Sequence, residues 1–311
     1  MRATRFRRTT AAVVSAVALG CVPAHVAAGA SPAPPAATAG APRATGEAGV
    51  RPVVLDGAVN VRDLGGYRTG TGREVRYGRV FRADALGKLT DADVAELSAL
   101  HLRTVVDFRL ADEVGRDGAD RLPDGLTAVS RPVDDLGLSA TVLGVIGSRD
   151  PVRQREVLGD GKAERLMRAV YRTFVTDADD RRQFAATLRD IADHERSPLL
   201  YHCTSGKDRT GWMSYLLLRA LGVPSRTAER DYLLSNSFRA EADRKTREGL
   251  RQAGLMQDPD LLVPLQEVRG DYLAAALDQA ERDYGGLYGY LTRGLGLDAP
   301  TLAKLRAHLL K

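Results

Sequence analysis

The chain has 311 residues, of which 44% are hydrophobic and 27% charged, with two cysteines and a formal net charge of +5. That apolar share supports a buried core and excludes a disordered chain, and two cysteines exclude a disulfide-stapled scaffold. Four of the positive charges are Arg2, Arg5, Arg7 and Arg8, so the charge falls to +1 without them; the remaining Lys and Arg alternate with Asp and Glu, which argues against a nucleic-acid surface.

After those arginines come an apolar run from Ala11 to Val22 and small residues to Ala30, the pattern of a secretory signal peptide at 1–30, cleaved after Ala28 or Ala30. The run is too short for a permanent bilayer span. Ala18-Leu19-Gly20-Cys21 is a misordered version of a lipoprotein site, the one route to membrane anchoring, and Arg7-Arg8 admits a twin-arginine route. The expectation is a secreted protein in which Cys203 is the sole remaining thiol. Residues 31–49, rich in Ala, Pro, Gly and Thr, read as a flexible linker, and 50–311 as one domain.

Gly70-Thr71-Gly72 reads as a hairpin turn, and Val80 to Arg82 as a strand. Thr90 and Asp93 form a capping-box pattern before a helix with Val94, Leu97 and Leu100 on one face. Leu102 to Phe108 and Thr127 to Val133 are further strands, with helices at 163–175 and 180–194 and a strand at Leu199 to His202. A helix from Thr210 to Leu221, apolar nearly all round, ends at Gly222 before Pro224 and is expected at the centre of the core. Helices at 226–234, 241–253, 271–283 and 300–310 make the C-terminal third helix-rich, with a loop at Tyr284 to Tyr290. Strands interleaved with helices predict an α/β fold whose small, mainly parallel sheet is flanked by helices.

The segment His202-Cys203-Thr204-Ser205-Gly206-Lys207-Asp208-Arg209-Thr210 joins that last strand to the central helix. A turn of this length at a helix amino end directs backbone N–H groups inward, a nest for an anion. The same field favours a thiolate at Cys203, placing a nucleophile beneath a bound phosphoryl group. Arg209 offers a planar fork to two phosphoryl oxygens. Asp208 is the expected proton donor, with Asp107, at a strand end, as the second candidate and Asp134 or Asp135 as the alternative if a mobile loop carries the acid. Thr204, Ser205, Gly206, Lys207 and Thr210 are expected to bind substrate, with the Thr210 hydroxyl directed at the sulfur, and His202 to support the cradle. Arg62 and Asp63 are expected to brace it. Asp91 with Asp93, and Asp258 with Asp260, sit where caps and turns belong, so no metal and no cofactor is expected.

This signature resembles that of the cysteine-dependent protein tyrosine phosphatases. With Asn60-Val61-Arg62-Asp63-Leu64-Gly65-Gly66, Val105-Val106-Asp107-Phe108-Arg109 and Asp231-Tyr232-Leu233-Leu234-Ser235-Asn236, the chain resembles their bacterial branch, typified by the mycobacterial secreted phosphatase B, over nearly the whole domain. The resemblance implies a tyrosine-phosphatase-like fold and hydrolysis of phosphotyrosine in proteins, with phosphoserine, phosphothreonine and phosphoinositide phospholipids accepted by some members. It supports Asp208 as the acid and gives Lys207 a second phosphate or a carboxylate of the substrate. The alternatives are a phosphoinositide phosphatase and a phosphate-binding module without turnover. The segment from Asp135 to Gly161 and the helices beyond Asn236 are candidates to cover the site.

Overall fold

The computed structural model describes residues 49–311; the expected leader and all but the last residue of the expected linker lie outside the described residues. The strands are β1 (Arg51–Pro52), β2 (Arg62–Asp63), β3 (Val80–Ala83), β4 (Thr104–Asp107), β5 (Ala128–Ser130) and β6 (Leu199–His202). They form one sheet in the order β1-β2-β3-β6-β4-β5. The first two pairings are antiparallel, and the β3–β6, β6–β4 and β4–β5 pairings are parallel. The mainly parallel sheet is as expected, although two strands are shorter than the apolar runs: the one expected over 102–108 spans 104–107, and the one expected over 127–133 is a three-residue, partly exposed edge.

Alternate residues of the central strands enter two separate cores, because successive side chains point to opposite faces. Val80, Val106, Leu199 and Tyr201 join the larger core, and Phe81, Ala83, Val105 and Leu200 the smaller. A parallel sheet covered on both faces is why these strands read as unbroken apolar runs. Register sets Ala83 and Asp107 on either side of His202, so three strands end level and the loop after β6 emerges at their common carboxyl edge. That edge is where open α/β sheets bind ligands.

The helices are α1 (Asp91–Ala99), α2 (Ala111–Asp117), α3 (Leu138–Ser148), α4 (Pro151–Leu158), α5 (Lys162–Thr176), α6 (Ala178–Ala192), α7 (Arg209–Ala220), α8 (Ser225–Gln252), α9 (Val263–Gln266), α10 (Gly270–Tyr284), α11 (Leu287–Gly289) and α12 (Ala299–Leu309). Helix α1 carries the capping box: Asp93 N donates to Thr90 Oγ1 at 3.1 Å, and Thr90 N donates to Asp93 Oδ2 at 2.8 Å. Eleven residues of α7 are buried, which makes it the central helix expected behind the cradle. Gly70–Gly72 lies in a turn closed by the Arg68–Glu74 bridge.

Two expectations are corrected and one helix was not anticipated. The helices expected at 226–234 and 241–253 are one 28-residue helix, α8. Its inward stripe at Asp231, Ser235, Arg239 and Asp243 is buried yet polar, which interrupts the apolar period without interrupting the helix. Residues 284–290, expected as a loop, include α11, which runs into a π-helical turn at Tyr290–Gly294. The short, charged α2 had no apolar period to reveal it, and it proves to carry Glu113.

Candidate active site

The loop from Cys203 to Asp208 is shaped by what its carbonyls bind. Thr204 C=O accepts from Ala85 N at 3.2 Å, and Ser205 C=O accepts from Arg239 Nη1 at 3.1 Å. Gly206 C=O accepts from Asn60 Nδ2 at 2.8 Å and Arg82 Nη2 at 2.7 Å. In a planar trans peptide the C=O and the next N–H point opposite ways, so these bonds turn the amides of Ser205, Gly206 and Lys207 away from the scaffold. Gly206 has φ +63°, and a Cβ there would lie 2.4 Å from Ala83 O, so no other residue fits this turn.

The donors behind the loop are themselves fixed. Arg62 and Arg82 both pair with buried Asp231, at 3.0 and 2.9 Å, and Arg62 Nη1 donates to Asn60 Oδ1 at 2.5 Å. Burial would raise the Asp231 carboxyl, but the two guanidinium groups hold it below its ordinary range. Arg62 thus braces the cradle, as expected, through Asn60 and Asp231. Asp63 does not reach it: its carboxylate accepts from Gly65 N and Gly78 N.

Cys203 and Arg209 line one open cavity, together with Thr204, Ser205, Lys207, Asp208, Glu113 and Asp135. Its opposite wall is apolar, with Leu138 and Val142 of α3, Met167, Val170 and Phe174 of α5, and Leu265. The segment expected as a cover therefore supplies α3 as a cavity wall. Arg209 is buried and held end-on by Glu113, with Nη1–Oε2 and Nη2–Oε1 both 2.6 Å, and neither bond uses Nε. Burial alone would push the Glu113 carboxyl up, yet Arg209 and the donated Thr204 hydroxyl hold it down at about 2. Glu113 lies 96 residues from Arg209, and no sequence signal connects the two.

Two carboxylates beside Cys203 differ in their bonding. Asp208 Oδ1 accepts from the Tyr171 hydroxyl at 2.9 Å, and Oδ2 pairs with Lys207 Nζ at 2.6 Å, so both oxygens are engaged. Asp135 Oδ2 accepts from Ser139 N at 2.9 Å, while Oδ1 is buried without a partner among the described residues. Thr210 Oγ1 is likewise buried without such a partner, so the bond to the sulfur expected of it is not made. Gly206, Thr210 and His202 are not among the residues that line the cavity.

Asp107 is also outside the lining. It forms a salt bridge to Arg109 at 2.9 Å, and Arg109 also pairs with Asp120 at 2.8 Å. His202 Nε2 meets Asp120 Oδ2 at 2.9 Å, and Nδ1 lies 3.4 Å from Cys203 O. Burial would lower the imidazole, but Asp120 raises it above its ordinary value near 6.5, favouring the imidazolium directly before the nucleophile. Asp107, Asp120 and His202 bring three ligand-type atoms within 4.8 Å of one another, but the Arg109 guanidinium already joins both carboxylates.

A family model described as the tyrosine phosphatase family matches residues 53–311. The chain belongs to the tyrosine phosphatase family. Three relatives agree with that placing. A Cupriavidus necator protein named as a tyrosine-protein phosphatase is 32% identical over 94% of this chain and 96% of its own. The triple specificity protein phosphatase PtpB of Mycobacterium tuberculosis is 31% identical over 82% of this chain and 98% of its own. A tyrosine-protein phosphatase of Nostoc commune is 28% identical over 73% of each chain. As a member of the tyrosine phosphatase family, the chain is a hydrolase in which Cys203, Arg209 and the cradle occupy one pocket.

Proposed function

We propose that this protein hydrolyses phosphotyrosine in exported form through a cysteinyl-phosphate intermediate. The observation that carries the reading is the convergence of Cys203, Arg209 and three outward-turned amides on one cavity with an apolar wall. The Cys203 thiolate attacks phosphorus in line with the ester oxygen, forming S–P as P–O breaks. Arg209 and the amides bear the charge spread over the other three oxygens. Asp135, whose Oδ1 has no partner among the described residues, gives the departing oxygen a proton, replacing Asp208, whose oxygens are both engaged. Water then attacks phosphorus, the same carboxylate takes its proton, and phosphate leaves with the thiolate restored.

Leu138, Val142 and Phe174 suit the flat apolar ring of tyrosine rather than a polyhydroxylated headgroup. The triple specificity in the name of the mycobacterial relative favours a second reading in which phosphoserine, phosphothreonine or phospholipid esters are also accepted. Export rests on the leader pattern of residues 1–30.

The test is phosphate release by residues 31–311 from p-nitrophenyl phosphate, a phosphotyrosine peptide, a phosphoserine peptide and a phosphoinositide. The phosphotyrosine peptide is expected to have the highest kcat/KM, and Cys203→Ser to abolish turnover of all four. No release from any substrate under reducing conditions would leave a phosphate-binding module. Asp135→Asn is expected to lower kcat on the peptides by about 10²-fold or more, and less on p-nitrophenyl phosphate, whose leaving group barely needs a proton. The opposite ranking of Asp135→Asn and Asp208→Asn would return the proton donor to Asp208.

A further inference from the structure

Asp208 is the residue immediately before α7, the position from which an aspartate ordinarily caps its own helix. Among the described residues three other α-helices start after an aspartate, and in each the carboxylate does so. Asp150 accepts from Val152 N and Arg153 N, Asp177 from Asp179 N and Asp180 N, and Asp298 from Thr301 N. At Asp208 no such bond forms, and the backbone there lies at φ −86°, ψ −78° instead of the extended conformation the other three share. Its carboxylate instead turns to Tyr171 on one oxygen and Lys207 on the other.

Tyr171 is poised for this task. It is fully buried on α5, and its hydroxyl accepts from the Tyr232 hydroxyl of α8 at 2.8 Å, so its own proton is directed to Asp208. A hydroxyl has one proton and a carboxylate only accepts, so with the Tyr171 proton on Asp208 the order is Tyr232 to Tyr171 to Asp208; the Tyr232 hydroxyl also lies 3.3 Å from Arg269 O, a longer contact than the 2.8 Å to Tyr171. Burial first, and Asp208 second, hold the Tyr171 hydroxyl protonated well above its ordinary value near 10, so it remains a donor at any working pH.

Resting on the phosphatase reading, we infer that Tyr171 is a positioning residue that holds the Asp208 carboxylate off the amino end of α7 and so reserves the cradle amides for the substrate phosphoryl group. A carboxylate drawn to those amides would compete with a dianion for the same donors and the same helix-end field. Without the Tyr171 hydroxyl, Asp208 keeps one anchor, Lys207, and the unpaired amides of the cradle attract it. Tyr171 does not touch the reacting atoms; it acts on binding through Asp208.

The experiment is a double-mutant cycle read by calorimetric titration with inorganic phosphate, which does not depend on turnover. Tyr171→Phe is expected to weaken phosphate binding by about tenfold, the effect of one displaced charge at this range. In the Asp208→Ala background the same change is expected to leave affinity unaltered. In kinetics, Tyr171→Phe is expected to raise KM with kcat nearly unchanged. Unchanged phosphate affinity in Tyr171→Phe overturns the inference, as does an equal loss in both backgrounds, which would mark a structural role only. Should Tyr171→Phe lose its cooperative melt, Tyr232→Phe removes the hydroxyl that orients Tyr171. It is expected to weaken phosphate binding only while Asp208 is present, and an effect independent of Asp208 overturns the inference. A wild type that binds phosphate without hydrolysing any ester would defeat the proposed function and leave this cycle to be judged separately.

Discussion

Glu113 stabilises the folded chain in a way that pH exposes. Its carboxyl stands near 4.5 when unfolded and at about 2 when folded, lowered by Arg209 against the opposing effect of burial. A depressed folded value means that the contribution is complete above 4.5 and is lost as pH falls towards 2; it amounts to roughly 3 kcal/mol. Urea midpoints measured between pH 6 and pH 3 are expected to fall more steeply for wild type than for Glu113→Gln. Gly206→Ala is expected to cost at least about 2 kcal/mol and nearly all turnover, because φ +63° and the contact with Ala83 O leave a side chain no room; a thermal melt and a p-nitrophenyl phosphate assay check it. Cys203, Gly206 and Arg209 were legible because the chemistry needs them within one loop at fixed spacing. Glu113 and Asp120 were not, because they reach the signature across 96 and 82 residues from short polar segments that carry no periodic trace of such contacts, and Tyr171 was not, because its place on the apolar face of a helix reads as core and says nothing of a bond made 37 residues away.

Among the elements, α8 explains both what sequence reading found and what it lost. Its outer positions follow helical spacing, but its inner stripe holds Asp231, Ser235, Arg239 and Asp243, where a period-based reading looks for apolar residues. Those four residues are polar because they hold other polar groups: Arg82 pairs with Asp231 and donates to Ser235 at 3.2 Å, while Arg239 pairs with Asp243 at 2.7 Å and donates to Ser205 C=O. Arg239→Ala is expected to cost about 3–5 kcal/mol by leaving Asp243 as an uncompensated buried charge and Asp84 without its cation, and to weaken phosphate binding, with Arg239→Lys intermediate; urea melts and phosphate titration check both. Asp84, whose carboxyl burial pushes up to about 7, would then stay protonated to still higher pH. The central strands were legible from unbroken apolar runs, and β5 was overextended because an edge strand is cut short by lost pairing partners rather than by composition.

For the whole molecule, the α/β architecture followed from strands alternating with helices, a pattern that leaves few topologies once parallel pairing is inferred. Residues 49–311 hold both cores and the groups described above that shape the cradle, so a protein beginning at Gly49 is expected to match the melting temperature and kcat/KM of one beginning at Ser31. Differential scanning calorimetry with steady-state kinetics on both proteins checks this.

The three carbonyls that turn the cradle are gripped by Asn60, Arg82, Ala85 and Arg239, positions that precede and follow the loop in the sequence. Oxyanion capture is consequently a collective property, and no excised fragment around Cys203 should retain it. Ligand occupancy and global unfolding are therefore thermodynamically linked: phosphate at a hundred times its Kd should add about 2.7 kcal/mol of unfolding free energy, and activity should vanish along the same denaturant curve as the far-ultraviolet dichroism.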